Sequence, residues 1–283
     1  MAEIIDGKLV SSVLRDTLKD KICDFKSKTG KGIGLAVIIV GSDPASQVYV
    51  RNKHLACRQV GIDSLQIELP ESITEDELIE KIQSLNNDDS INGILVQLPL
   101  PRHINEEKIT NSISPLKDVD AFHPSNVGKI MIGNHDFLPC TPAGIIALLD
   151  YYNIQVEGKR CVVIGRSNIV GKPMAMLLME RHGTVTVCHS RTKNIAEITR
   201  DADILVVAIG KANYLTADMV KDGAVVIDVG INRLDNGKLV GDVRFDEVSD
   251  VASMITPVPG GVGPMTITML LYNTLTAANM QNV

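Results

Sequence analysis

Short apolar runs rich in valine and isoleucine alternate along the chain with longer segments in which apolar residues recur every three or four positions. The runs at 34–41 (GLAVIIVG), 64–70, 92–100 (NGILVQLPL), 161–167, 184–190, 202–210 and 223–230 predict strands. They are nearly continuously apolar, as strands of a parallel sheet covered on both faces are. The segments 11–28, 46–60, 74–87, 142–152, 171–182, 193–200 and 216–221 predict helices. This alternation predicts an α/β fold with parallel sheets, and no internal repeat or low-complexity tract complicates it. Around residues 134–142 the stretch NHDFLPCTPAG carries two prolines and a glycine ahead of a fresh helix. It is the expected boundary between two α/β domains, 1–139 and 140–283, with the active site expected in the cleft between them. A helix over 265–280 (to about 283), after Pro264, has an apolar face that can pack back on either domain.

Composition narrows the classes. With 45% apolar and 22% charged residues in 283, the chain can bury a sizeable core. Its net charge is −6 and no block of like charges appears, so nucleic acid is not an expected partner. Five scattered cysteines without a CxxC argue against a disulfide framework or a metal site, and for a reducing compartment. The first ten residues, MAEIIDGKLV, do not read as a secretory signal, and the apolar runs fall short of the roughly 18 residues a membrane span needs. A soluble cytoplasmic protein without membrane partners is expected.

Residues 161–173 read as a strand, then GRSNIVGKP, then a helix, which is the context a dinucleotide fingerprint requires. The spacing departs from G-x-G-x-x-G: Gly165 takes the first place, Ser167 replaces the second glycine, and Gly171 falls one residue late. Pro173 suits a first helical turn, and the helix N-terminus is expected to offer N–H groups to a pyrophosphate. The second domain is therefore expected to be Rossmann-like; the alternative is a plain strand-helix turn. An NAD site usually carries a carboxylate at the end of the next strand. Here that end is Cys188-His189-Ser190-Arg191-Thr192. A hydroxyl and Arg191, with Arg166 in the loop, suit a 2′-phosphate, so NADP is expected over NAD.

QVYVRNK (47–53) puts Tyr49 and Lys53 four residues apart on one helical face. In short-chain dehydrogenases such a pair follows the glycine loop; here it precedes the loop by over a hundred residues, which removes that reading. A chance spacing on a solvated helix stays open from these two residues alone. Gln97 ends a buried-looking strand, where open α/β sheets bind ligands. The loop PLKDVDAFHP (115–124) presents Asp118 and Asp120, and PVPGGVGPMT (257–266) combines stiff prolines with glycines that permit close backbone approach.

Taken together, YVRNK, GILVQLPLP, PLKDVDAFHP, GRSNIVGKP, DVGIN and PVPGGVGPMT resemble the methylenetetrahydrofolate dehydrogenase/methenyltetrahydrofolate cyclohydrolase family, in order and over essentially the whole chain. The resemblance implies NADP-dependent oxidation of methylenetetrahydrofolate and hydrolysis of the methenyl product to 10-formyltetrahydrofolate, within one-carbon metabolism feeding purine, methionine and histidine biosynthesis. It implies Lys53 as the key catalytic residue, Tyr49 orienting the folate, Gln97 contacting the lysine and Asp120 gripping the pterin. Gly260, Gly261 and Pro264 would line the folate site. Gly165, Arg166, Ser167, Ser190 and Ile231 would contact the dinucleotide, beside Arg191 from the 2′-phosphate reading above. A homodimer is implied. Ala121 stands where the family usually has glycine, which puts the course of the loop after Asp120 in question. Another two-domain dehydrogenase, shikimate-like, and a silent nucleotide sensor remain as alternatives.

The chemistry fits these residue types. The hydride leaves a carbon held between two nitrogens that stabilise the resulting cation, so oxidation needs positioning more than a base. Hydrolysis must deprotonate water, and a lysine can assist if burial lowers its pKa from ~10.4.

Overall fold

The structure, a computed structural model, describes residues 1–282, and for residues 44 and 45 only the course of the backbone. In chain order its elements are β1 (Glu3–Ile4), α1 (Gly7–Thr29), β2 (Gly34–Val40), α2 (Pro44–Val60), β3 (Asp63–Leu69), α3 (Glu75–Asn86), β4 (Gly93–Val96), α4 (Glu106–Ser112), α5 (Pro124–Met131) and α6 (Cys140–Tyr151). There follow β5 (Arg160–Ile164), α7 (Gly171–Glu180), β6 (Thr184–Cys188), α8 (Ile195–Thr199), β7 (Ile204–Val207), β8 (Val225–Asp228), β9 (Asn232–Arg233), β10 (Leu239–Val240), α9 (Phe245–Val248), β11 (Met254–Ile255) and α10 (Val262–Gln281).

The chain divides into two compact units, each made of two segments: Val13–Cys140 with Ile267–Val283, and Met1–Ser12 with Thr141–Thr266. The first holds a parallel sheet of order β3-β2-β4. Its central strand β2 is buried at every residue. Leu35, Val37 and Ile39 face one core with α1, α2 and α10 residues, while Ala36, Ile38 and Val40 face another with α3 and α4 residues. The strict alternation follows from the two-residue period of a strand. β3 is an edge, and its outer residues are exposed rather than covered as the sequence predicted. The second unit holds a six-stranded sheet of order β1-β11-β8-β7-β5-β6, parallel throughout, and the antiparallel ribbon β9-β10.

Several elements differ from the sequence expectation. β4 stops at Val96 instead of continuing to 100, because Pro99 and Pro101 cannot donate to a ladder. The helix expected at 11–28 starts at Gly7, where the Asp6 carboxylate accepts from the N–H groups of Lys8 (2.9 Å) and Leu9 (3.1 Å). Residues 216–221 make only a short 3₁₀ turn at Ala217–Met219. Residues 1–12, expected in the N-terminal domain, group with the six-stranded unit because β1 pairs with β11. The last part of α10 belongs to the three-stranded unit, where Ile267, Leu270, Leu271 and Leu275 enter its core.

Candidate active site

α2 is capped by Asp43, whose carboxylate accepts from the N–H of Ser46 at 2.8 Å, and ends at Gly61 in the left-handed region. Among its buried positions, Ser46, Val50, Lys53, Cys57 and Val60 follow the four-three spacing of a core-facing stripe, with Ala56 beside it. Lys53 therefore occupies an apolar position and is only 8% exposed. Its Nζ donates to Gln97 Oε1 at 3.0 Å, while Gln97 Nε2 donates to the Leu98 carbonyl at 2.7 Å. The Gln97 amide is thus held with its oxygen toward the amine. Gln97 itself is fixed just beyond β4 by its N–H to the Ile38 carbonyl (2.8 Å). Burial pushes the Lys53 amine below the ordinary lysine range, with nearby Asp120 pulling the other way. Tyr49, one turn earlier, is half-buried, and burial raises its phenol.

The Asp120 loop is built against β4. The Ile94 N–H donates to the Lys117 carbonyl at 2.8 Å, and Lys117 Nζ caps the end of α3 through the carbonyls of Leu85 (3.0 Å) and Asp88 (2.8 Å). Asp118 is buried and accepts from the N–H groups of Phe122 (3.2 Å) and His123 (2.8 Å) and from Asn126 Nδ2 (2.8 Å). Of the two loop carboxylates, Asp118 is thereby spent on closing the turn, and Asp120 is left near Lys53. Ala121 lies at φ +58°, fully buried; the left-handed backbone explains why glycine suits this place. Burial raises the Asp120 carboxyl, opposed by Lys53 and by the thiol of Cys140. A recess beside it is lined by Ile94, Val96, Leu98, Ile109, Asp118 and Phe122.

Two neighbours were not anticipated from sequence. The Cys140 thiol lies against Asp120 and 3.4 Å from the Val119 carbonyl, and burial beside that carboxylate holds it well above the ordinary thiol range. Asn273 of α10 donates through Nδ2 to the carbonyls of Val119 and Leu138, both at 2.8 Å. Nothing in the spacing of a lone cysteine or of an asparagine inside an apolar helix marks either residue.

The glycine loop lies in the six-stranded unit. Gly165 has φ +130°, and a Cβ there would fall 2.3 Å from the Ala208 carbonyl oxygen, so no side chain fits. Ser167 Oγ accepts from the N–H groups of Val170 (3.1 Å) and Gly171 (3.3 Å). The first-turn donors of α7 are therefore taken, contrary to the expectation that they face a phosphate. Among the described residues, the N–H groups of 166–169 make no hydrogen bond to the protein, and these can meet an anion instead. Ser190 and Arg191 sit exposed in a turn closed by Thr192 N–H to the His189 carbonyl (2.8 Å). Neither their side chains nor that of Arg166 pairs with another described residue. Backbone donors, a hydroxyl and two free guanidinium groups fit a phosphorylated dinucleotide. Ile231 is 47% exposed, between β8 and β9. Gly260 (φ +114°) and Gly261 precede α10, and Pro264 lies in its first turn. The close approach these glycines permit is to α1: the Lys8 N–H donates to the Gly260 carbonyl at 3.1 Å, and a Cβ on Gly7 would fall 1.7 Å from the Gly261 oxygen.

Among the described residues, no helix is long and apolar enough to cross a membrane, and no group of three or more His, Cys, Asp or Glu could hold a metal ion.

Fold and residues define an α/β enzyme with a nicotinamide-nucleotide domain and a separate catalytic domain. Residues 139–282 match the NAD(P)-binding domain of the tetrahydrofolate dehydrogenase/cyclohydrolase family and residues 5–120 match its catalytic domain. The bifunctional protein FolD of Acetivibrio thermocellus is 61% identical over 99% of this chain and 98% of its own. The crystal structure of the bifunctional FolD methylenetetrahydrofolate dehydrogenase/cyclohydrolase from Campylobacter jejuni is 54% identical, covers 99% of both chains and superposes with a TM-score of 0.97. That of the Trypanosoma brucei enzyme, complexed with NADP cofactor and inhibitor, is 40% identical over 99% and 98%, with a TM-score of 0.95. The chain belongs to the tetrahydrofolate dehydrogenase/cyclohydrolase family and is an NADP-dependent oxidoreductase and hydrolase of one-carbon metabolism. Neither a shikimate-like dehydrogenase nor a silent nucleotide sensor is favoured by these matches.

Proposed function

We propose that the protein oxidises 5,10-methylenetetrahydrofolate with NADP and hydrolyses 5,10-methenyltetrahydrofolate to 10-formyltetrahydrofolate, with Lys53 carrying the hydrolytic step. NADP, when bound, supplies the hydride acceptor. The observation that carries the assignment of Lys53 is a buried amine of lowered pKa whose hydrogen-bond partner among the described residues, Gln97, is neutral. An uncharged amine can accept a proton from water attacking the methenyl carbon, and the substrate's positive charge favours the uncharged form. Gln97 Oε1 still accepts an N–H from the neutral amine, so the partner does not force protonation. Asp120 accepts a pair of N–H donors from the 2-amino-4-oxopteridine edge. Tyr49 offers an aromatic face one turn from Lys53. Gly260 and Gly261, ahead of α10, and Pro264, in its first turn, contact the folate. Gly165, Arg166, Ser167, Ser190, Arg191 and Ile231 bind the dinucleotide, with Ser190, Arg191 and Arg166 on the 2′-phosphate.

The protein acts in the cytoplasm as a homodimer, supplying one-carbon units for purine, methionine and histidine biosynthesis. The unpaired edge of β3, with Leu65 45% exposed, supports self-association.

The test is Lys53→Met with both activities assayed. Methenyl hydrolysis falls by about 100-fold or more, the lower end of what a positioned acid-base group contributes. Unchanged hydrolysis removes Lys53 from the mechanism.

A further inference from the structure

Two buried carboxylates stand at the ends of β7 and β8, outside every role assigned above. Asp242 is fully buried. Its Oδ2 accepts from the N–H groups of Ile209 (2.7 Å) and Gly210 (3.0 Å); its Oδ1 accepts from the Lys211 N–H (2.8 Å) and Asn232 Nδ2 (3.0 Å). Asp228, the last residue of β8, accepts from the N–H groups of Gly230 (3.0 Å), Asp242 (2.9 Å) and Val243 (3.0 Å). The two carboxylates are interlocked with backbone that only glycine allows so close. A Cβ on Gly230 would fall 2.2 Å from Asp242 Oδ1, and one on Gly241 would fall 1.7 Å from Asp228 Oδ2.

The segments so tied frame the dinucleotide residues on two sides. Ile231 lies between Gly230, held by Asp228, and Asn232, held by Asp242. Ile209–Lys211 follow Ala208, whose carbonyl is the atom that denies Gly165 a side chain. One carboxylate therefore ties the loop after β7, which abuts Gly165 through Ala208, to the Ile231 loop, at strand C-termini where open α/β sheets bind their ligands.

We propose that Asp242, with Asp228 interlocked behind it, is a positioning residue for the dinucleotide: it touches no ligand but holds the loops after β7 and β8 in register with Gly165. This rests on the NADP reading given above. A carboxylate is required because both oxygens accept twice; an isosteric amide would turn an NH₂ toward two donors.

The experiment is Asp242→Asn, measured by the KM for NADP, the kcat at saturating NADP, and methenyl hydrolysis in the absence of nucleotide. The KM for NADP rises about tenfold or more, the scale set by losing hydrogen bonds to a buried charge. The kcat stays within about threefold and hydrolysis within about twofold of wild type, since neither depends on nucleotide affinity. An unchanged KM for NADP overturns the proposal, and so does a parallel loss of hydrolysis, which would make the carboxylate merely structural. If Asp242→Asn does not fold, Asn232→Ala removes a single donor at a partly exposed site. It then raises the KM for NADP by about threefold or more with hydrolysis intact, and no rise overturns the proposal. Wild type assayed alongside separates the two failures: absence of NADP reduction by wild type defeats the NADP reading, whereas equal KM values in an active wild type and variant defeat this one.

Discussion

Lys53 occupies a place in the apolar stripe of α2 where a valine or cysteine would serve the core better. The neighbouring positions Val50, Cys57 and Val60 are apolar, and this register was legible in the sequence. Its partner, Gln97, lies 44 residues away beyond another element, so no local pattern marks it and it was expected only through the family resemblance. Burial costs a charged amine far more than a neutral one, and the lowered pKa follows. Enzymatic methenyl hydrolysis, corrected for the spontaneous reaction, therefore rises with pH and levels off below the ordinary lysine range of about 10.4. Lys53→Met lacks this limb; a wild-type profile that is flat, or that persists in the variant, contradicts the assignment. The same shift bears on stability with a definite sign. The folded protein binds the Lys53 proton less readily than the unfolded chain, so stability gained from this group grows as pH rises from the lowered pKa to the ordinary one. Arg191 and Arg166 make a separate prediction: replacing either with alanine raises the KM for NADP by about tenfold and leaves that for NAD nearly unchanged, as loss of a charge-assisted phosphate contact should. Equal losses for both cofactors would exclude a 2′-phosphate role.

Elements were legible where their period was sustained and obscure where they were short. α2, α3 and β2 announce themselves by pattern and caps, Thr74 and Glu77 forming a full capping box on α3. The seven-residue α4 and eight-residue α5 carry too few turns to show a period, although Asn105 and His123-Pro124 mark their starts. The loop from Lys117 to His123 had no period at all, and its two aspartates could be told apart only through the family resemblance, which singles out Asp120. The hydrogen bonds divide them: Asp118 binds the backbone of its own turn, and Asp120 does not. Asp118→Ala leaves the Phe122 and His123 N–H groups without their acceptor and takes from the Asn126 amide one of two, the Pro115 carbonyl remaining. It should destabilise the protein by about 2–4 kcal/mol, measured by denaturant unfolding. It should also raise the folate KM, since Asp120 and the left-handed Ala121 depend on that turn. A variant as stable as wild type would show that the carboxylate does not hold the turn.

For the whole molecule, the α/β class and the position of the glycine loop followed from the alternation of strands and helices. The assignment of the chain ends did not. β1 has two residues and pairs with β11 across some 250 positions, which leaves no local signal. α10 is apolar on nearly every side, so its sequence says that it is buried but not against what. Its residues from Ile267 onward join the unit that carries Lys53, and Asn273 there steadies the segment next to Asp120. Residues proposed for the folate thus come from distant stretches of chain, and those proposed for the dinucleotide from the ends of three strands, β5, β6 and β8. Two activities in one chain follow if both sets work on a common substrate in succession. The most direct measurement is to give the purified protein 5,10-methylenetetrahydrofolate with NADP and to follow NADPH, methenyl and 10-formyl products together. NADPH should form with 10-formyltetrahydrofolate as its matching product, and Lys53→Met should stop hydrolysis far more than it slows methenyl formation. No NADPH from wild type, or NADPH with methenyltetrahydrofolate accumulating in full and no enzymatic hydrolysis, would contradict the account.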